Sequence, residues 1–168
     1  SGSEWGRSGV GVGSASPAGR AGPDYSAVRC RAQQQAGIGS MDFLDAVLAN
    51  TVNFAERTCF SSRDESLTYG ELGVRSRVLG EHFETMLGDD KRAIVVYGHK
   101  SPWMITCFLA AVRSGRPYIP VDSSFPVDRV TSIVSESDAS LVIAAGCELP
   151  AAISGRQITT EELERMVG

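Results

Sequence analysis

The sequence predicts an α/β domain with a mainly parallel sheet flanked by helices. Three observations carry this reading. From Met41 onward, strand-like and helix-like segments alternate, the pattern of a parallel sheet with helical crossovers. Residues 93–97 and 141–144 are continuous apolar runs, as expected of strands covered on both faces. Between the first run and the next strand lies a segment opened by Ser101-Pro102 that is apolar nearly all round, which marks a buried helix.

The elements follow in order. Phe43, Leu44, Val47, Leu48, Val52 and Phe54 fall mostly at helical spacing, and Asp42 is placed to accept free amide hydrogens as the N-cap. A short strand is expected at 59–61, a solvated turn at Arg63-Asp64-Glu65, and a returning arm at 67–69. Thr68 and Glu71 have capping-box spacing. The helix they start carries Leu72, Leu79, Phe83, Met86 and Leu87 on one stripe and stops at Gly88. After the strand at 93–97, Ser101 caps the next helix with Pro102 at its first position, where a missing amide hydrogen costs nothing. Gly115 suits its C-terminal stop.

The stretch at 118–121 reads as a strand. Pro120 cannot donate to a ladder, so it belongs at a strand end or a sheet edge. A helix from about Pro126 should bury Val127, Val130, Ile133 and Val134. After the strand at 141–144 come a weak strand around Gln157-Ile158 and a last helix from Thr160. Thr160 and Leu163 stand at a cap-like interval, with Glu161 and Glu162 in the first turn, where the helix dipole favours carboxylates.

Residues 1–40 differ from the rest. They hold nine of the eighteen glycines, many serines and few large apolar residues. Such a segment cannot bury enough surface to offset its ordering entropy, so the expectation is a disordered tail or a non-native leader. Gly9, Gly11 and Gly13 form a G-x-G-x-G run, but no strand pattern precedes it and no helical pattern follows, so it does not read as a phosphate loop.

Composition narrows the function classes. A net charge of −4 and a pI near 5.2 argue against a nucleic-acid-binding role, which needs a basic face. The four cysteines form no C-x-x-C pair and only two histidines are present, so no zinc spacing can be assembled. Cys107 lies in an apolar run and reads as a small core residue. Dispersed cysteines and the lack of a signal-like start or a bilayer-length apolar stretch suggest a cytoplasmic protein with no membrane span.

Several residues tempt a functional reading. His99 and Lys100 sit just past a buried strand, where α/β ligands bind, yet His99 bonding to nearby backbone at a turn is the simpler expectation. Asp122 should cap a turn through Ser123 and Ser124. Trp103 and Tyr118 read as packing residues and Arg129 as a surface or ion-pair residue. Glu161, Glu162 and Glu164 form a solvated face.

Two motifs go beyond fold class. Leu67-Thr68-Tyr69-Gly70-Glu71-Leu72 is similar to the L-T-Y-x-E-L segment of AMP-forming acyl and aminoacyl ligases. Arg113-Ser114-Gly115-Arg116-Pro117-Tyr118-Ile119-Pro120-Val121-Asp122, with Pro126 and Arg129-Val130 after it, closely resembles that superfamily's (K/R)-x-G-x-x-Y-(I/V)-P-(I/V)-D segment and the P-x-x-R-(I/V) stretch that follows. The two stand in the superfamily's order. Within it, Val96-Tyr97-Gly98-His99-Lys100-Ser101-Pro102-Trp103-Met104-Ile105 looks like the V-Y-G-H-x-S-P-x-M-I of D-alanine–D-alanyl carrier protein ligases.

The resemblance spans about residues 42–168 and implies that 41–168 are the first part of an N-terminal AMP-binding (adenylation) domain. It implies a parent enzyme that uses ATP and Mg2+ to form D-alanyl adenylate, then passes the alanyl group to the phosphopantetheine thiol of a D-alanyl carrier protein for teichoic acid D-alanylation. The superfamily's phosphate loop, adenine and ribose contacts and catalytic lysine have no counterpart among these residues. No catalytic, cofactor-binding or metal residue is therefore carried over, and this chain alone is expected to be inactive, to need no cofactor and to self-associate. The alternatives are part of a nonribosomal peptide synthetase adenylation domain or another acyl-activating ligase, and, in another class, a stand-alone α/β binding module.

Overall fold

The computed structural model describes residues 43–62 and 64–168. The expectations for residues 1–40, the Asp42 cap and Arg63 lie outside the described residues. The elements run α1 (Phe43–Asn53), β1 (Thr58–Ser61), β2 (Ser66–Thr68), α2 (Tyr69–Leu87), β3 (Ile94–Gly98), α3 (Pro102–Arg113), β4 (Tyr118–Asp122), α4 (Val127–Glu136), β5 (Leu141–Ala145), β6 (Gln157–Ile158) and α5 (Thr160–Val167).

Strands β1 and β2 form an antiparallel ribbon with a bulge between Thr58 and Phe60, closed where Ser62 N donates to Glu65 O over 2.8 Å. The main sheet is parallel, in the order β4-β3-β5-β6. All five residues of β3 and all five of β5 are buried, which is why both read as unbroken apolar runs. Alternate residues serve alternate faces. Ile94, Val96, Leu141 and Ile143 pack with Leu79 and Phe83 of α2, Cys107 and Ala110 of α3, and Leu163 of α5. Val95, Tyr97 and Val142 pack with Val121 and with Val130 of α4. Helices therefore cover both faces. A third cluster joins Leu67, Leu72 and Leu109 with Leu44, Val47 and Leu48 of α1.

The capping chemistry explains the helix starts. Thr68 Oγ1 accepts from Glu71 N at 3.2 Å while Glu71 Oε2 accepts from Thr68 N at 2.9 Å, a complete capping box. Ser101 Oγ accepts from Trp103 N, with Pro102 at the first helical position. Gly115, at φ 69°, takes the left-handed conformation that ends α3.

Three expectations need correction. The cap of α5 is Thr159, not Thr160: Thr159 and Glu162 form the box, which frees the Thr160 hydroxyl for another task described below. Val127 is 48% exposed because it begins α4 on the side away from the sheet, and only Val130 of that helix is fully buried. Val52, Phe54 and Val112 are also exposed, so α1 and α3 are less completely covered than their apolar content suggests.

Pro120 lies within β4, the edge strand of the sheet. Ile94 N bonds to Pro117 O and Ser123 N to Gly98 O, so the alternating parallel ladder turns the backbone groups of Tyr118, Pro120 and Asp122 outward. The missing amide hydrogen of Pro120 thus removes the central donor of the free edge, which protects it from pairing with another strand.

Candidate functional site at the C-terminal edge of the sheet

Strand β3 feeds α3 on one face, and β4 feeds α4 on the other. The loops leaving these neighbouring strands diverge and leave a crevice between their C-terminal ends, while the topological switch point of the order β4-β3-β5-β6 lies on the other side of β3, between β3 and β5. The residues at the crevice come from two short loops. Gly98 and Asp122 are partners in register, and Ser123 N donates to Gly98 O over 3.0 Å.

His99 Nδ1 lies 2.9 Å from Asp122 Oδ2, spanning the crevice. Asp122 Oδ1 accepts from Ser124 N at 2.8 Å. One carboxylate thus holds its own turn and reaches the neighbouring loop. Hydrogen bonds from Ser124 foremost, and from His99 after them, hold the Asp122 carboxyl down at about 2. The turn role of Asp122 matches expectation. His99 does not: its partner is a side chain from the next strand and not local backbone. The signal for this pairing was that both residues sit at the ends of adjacent parallel strands, but register between strands separated by a helix cannot be read from a periodicity within either one.

Lys100 follows at φ 47°, a left-handed conformation that non-glycine residues seldom adopt. Beneath the loop, the Tyr97 hydroxyl donates to Ser123 O over 3.4 Å, and its pKa is raised, chiefly by burial. Gly98 is hemmed in by Ala145 O and Met104, so a side chain there would collide with β5 or α3.

Beyond β5 the same edge opens into a cleft of about 680 Å³. Thr160 builds one wall: its hydroxyl donates toward Ala144 O at 3.1 Å and accepts from Gly146 N at 3.1 Å, tying the start of α5 to the end of β5. Trp103 and Leu149 supply apolar surface, and Glu65, Glu148, Glu161 and Glu164 supply carboxylates. Among the described residues no lysine or arginine lines it. A cleft so charged repels a polyphosphate, so the residues present do not fit ATP. Among the described residues no group of three or more His, Cys, Asp or Glu side chains could hold a metal ion by itself. Burial raises the Cys147 thiol, which keeps it protonated and unreactive.

Trp103 and Tyr118 act in packing. Trp103 is buried under the Arg75 guanidinium, 5.4 Å from the ring centroid, and Tyr118 stacks on Phe108 with centroids 4.4 Å apart. Arg129 lies over the Phe125 ring at 5.3 Å. Glu162 is engaged in its capping box, while Glu161 and Glu164 are exposed.

The architecture is that of the N-terminal domain of adenylation enzymes. It superposes on the N-terminal subdomain of Klebsiella oxytoca NpsA with a TM-score of 0.64 at 17% identity, covering 74% of this chain and 33% of that one. It likewise superposes on VinN in complex with L-aspartate with a TM-score of 0.65 at 19% identity, covering 74% of this chain and 33% of that one. At such identities the likeness concerns the fold alone.

The sequence narrows the class further. Residues 48–167 match the model of the AMP-binding enzyme family, and the chain belongs to that family. It is 38% identical over 126 residues to the D-alanine–D-alanyl carrier protein ligase of Bacillus velezensis, covering 73% of this chain and 25% of the ligase. It is 44% identical over 84 residues to the corresponding Bacillus licheniformis ligase, covering 50% of this chain and 17% of that enzyme. The chain thus spans about a quarter or less of the length of these curated relatives. No helix among the described residues is long and apolar enough to cross a membrane.

Proposed function

We propose that residues 41–168 are the first part of the adenylation domain of a D-alanine–D-alanyl carrier protein ligase. The parent enzyme joins D-alanine to AMP at the expense of ATP, with Mg2+ screening the phosphates, and passes the alanyl group to a carrier-protein thiol. It works in the cytoplasm and supplies teichoic acid D-alanylation. The observation that carries this reading is the stretch from Val96 to Ile105, which resembles these ligases most specifically and contains the loop after β3. Identities of 34–44% to such ligases support it. For the peptide-synthetase alternative, the synthetase FmoA3 superposes with a TM-score of 0.65 at 16% identity, which is a likeness of fold.

Within this chain the residues supply scaffold. The buried sheet positions the loops after β3 and β4, and the acidic cleft contributes no phosphate contact. The test is ATP–pyrophosphate exchange by the complete gene product, with D-alanine compared against L-alanine and other amino acids. Exchange dependent on D-alanine supports the reading, and a preference for another acid moves the parent to a different acyl-activating ligase.

A further inference from the structure

The pair that joins the loops after β3 and β4 has a chemical consequence for His99. Asp122 remains ionised far below neutral pH, because its carboxylate is already stabilised by Ser124 and His99. An ionised carboxylate only accepts hydrogen bonds. At 2.9 Å from Asp122 Oδ2, Nδ1 of His99 must therefore carry the proton and donate. In the neutral ring this leaves the lone pair on Nε2, the nitrogen remote from Asp122. The imidazole is 48% exposed, so Nε2 is accessible. Three restraints fix its loop: Ser123 N on Gly98 O, the crowding around Gly98, and the Ser101 cap of α3.

We propose that His99 and Asp122 form a carboxylate–imidazole dyad that presents Nε2 as an oriented proton acceptor at the C-terminal ends of β3 and β4, for a ligand bearing a neutral thiol or hydroxyl group. In the step envisaged, the X–H bond breaks and its electron pair stays on X. The proton passes to Nε2, and the resulting imidazolium faces the Asp122 carboxylate. Lys100, the next residue, adds a positive charge to the same loop. That charge disfavours a cationic ligand and favours the anion left on X. Tyr97, the other titratable group beneath the loop, has its pKa raised, chiefly by burial and further by the Asp122 carboxylate, so it stays neutral alongside. The dyad is complete within this chain and does not depend on the ligase reading.

The chain carries its own control, since its only other histidine, His82, is exposed on α2. Nitrogen-15 NMR of the 168-residue chain at about pH 8, where imidazoles are neutral, reads the tautomer directly. The expected result is an Nδ1–H tautomer at His99. Diethyl pyrocarbonate, which acylates an imidazole lone pair, should then modify His99 several-fold faster than His82. In Asp122→Asn the amide oxygen still accepts from Ser124 N, so the turn survives, while the amide NH2 faces Nδ1. The tautomer should invert to Nε2–H and the rate advantage should vanish. An Nε2–H tautomer in the unmodified chain, or equal modification of the two histidines, overturns the proposal, and neither measurement needs the variant to fold.

Discussion

Arg116 Nη2 donates to the carbonyl oxygen of Gly88 over 2.7 Å, so a side chain from the turn after α3 ends α2. The same guanidinium donates through Nε to Asp90 O and through Nη1 to Ser114 O, each at 2.8 Å. Arg116 is only 2% exposed, and all three acceptors are backbone carbonyls that helix or strand bonding leaves free. The planar fork of arginine suits three converging carbonyls, and the point charge of lysine does not. Arg116→Ala should strand these acceptors and lower stability by about 3 kcal/mol or more. Arg116→Lys should recover less than half of that. Urea denaturation of the purified chain measures both, and equal stabilities for the three proteins would refute the bracing role.

The two capping boxes give a matched pair of smaller effects. Thr68→Ala and Thr159→Ala should each cost about 1 kcal/mol. The effects should add, because the two caps share no hydrogen-bond partner. Thermal melts of the single and double variants check this.

These cases show what could be read along the chain. Thr68 and Glu71 are three residues apart, so their box was visible in sequence, as were the Ser101-Pro102 start and the buried runs of β3 and β5. Thr159 was missed in favour of Thr160 because both are hydroxyl residues ahead of Glu161 and Glu162. The interval from Thr159 to Glu162, the same as that from Thr68 to Glu71, was the signal that distinguishes them, and the bonds from Thr160 to the end of β5 agree with it. Arg116 reaches Gly88 across 28 positions and His99 reaches Asp122 across 23, so no local pattern announces either contact. The superfamily segment contains both Arg116 and Asp122, yet without a fold it could not tell the brace from the dyad.

Acid should loosen the turn after β4. Asp122 has a folded pKa of about 2 against an ordinary value of 3.8. A depressed carboxyl pKa contributes stability that is present above the unfolded value and is lost as pH falls through the folded one. The affected window therefore runs from about pH 4 down to about pH 2. Asp90, held down at about 2 by its hydrogen bonds from Arg92, titrates in the same window. Both carboxylates face solvent, which screens their charges. Asp122→Asn should flatten part of the acid limb of stability against pH, and Asp90→Asn a separate part. An unchanged limb in the Asp122 variant would show that the turn bonds are not retained in solution.

Self-association should proceed through side chains and not through strand pairing. An apolar groove of about 240 Å³ lies beside the β4 edge, lined by Leu44, Val47, Ile105, Phe108, Val112 and Tyr118. Pro120 blocks that edge against a further strand. A second copy of the chain covering the groove would bury this apolar surface. Sedimentation at rising concentration should show dimerisation that Val112→Lys weakens, with little dependence on salt. A monomer at all concentrations, or equal dimerisation by the variant, would rule the groove out.

The chain alone should make no adenylate. Adenylation requires cationic groups or a metal beside the phosphates where charge develops. The cleft at the sheet edge offers Glu65, Glu148, Glu161 and Glu164 instead, and no lysine or arginine among the described residues. At a few ångströms each carboxylate opposes a phosphate by about 1 kcal/mol even in bulk water and more where water is thinned. Pyrophosphate exchange with ATP, D-alanine and Mg2+ should therefore stay at the no-protein blank. Replacing Glu161 and Glu164 by glutamine should relieve the repulsion without creating exchange, because removing an obstacle does not install a cation. Exchange by the unaltered chain would mean that a phosphate site forms from these 168 residues, and the acidic cleft would then have to lie outside it.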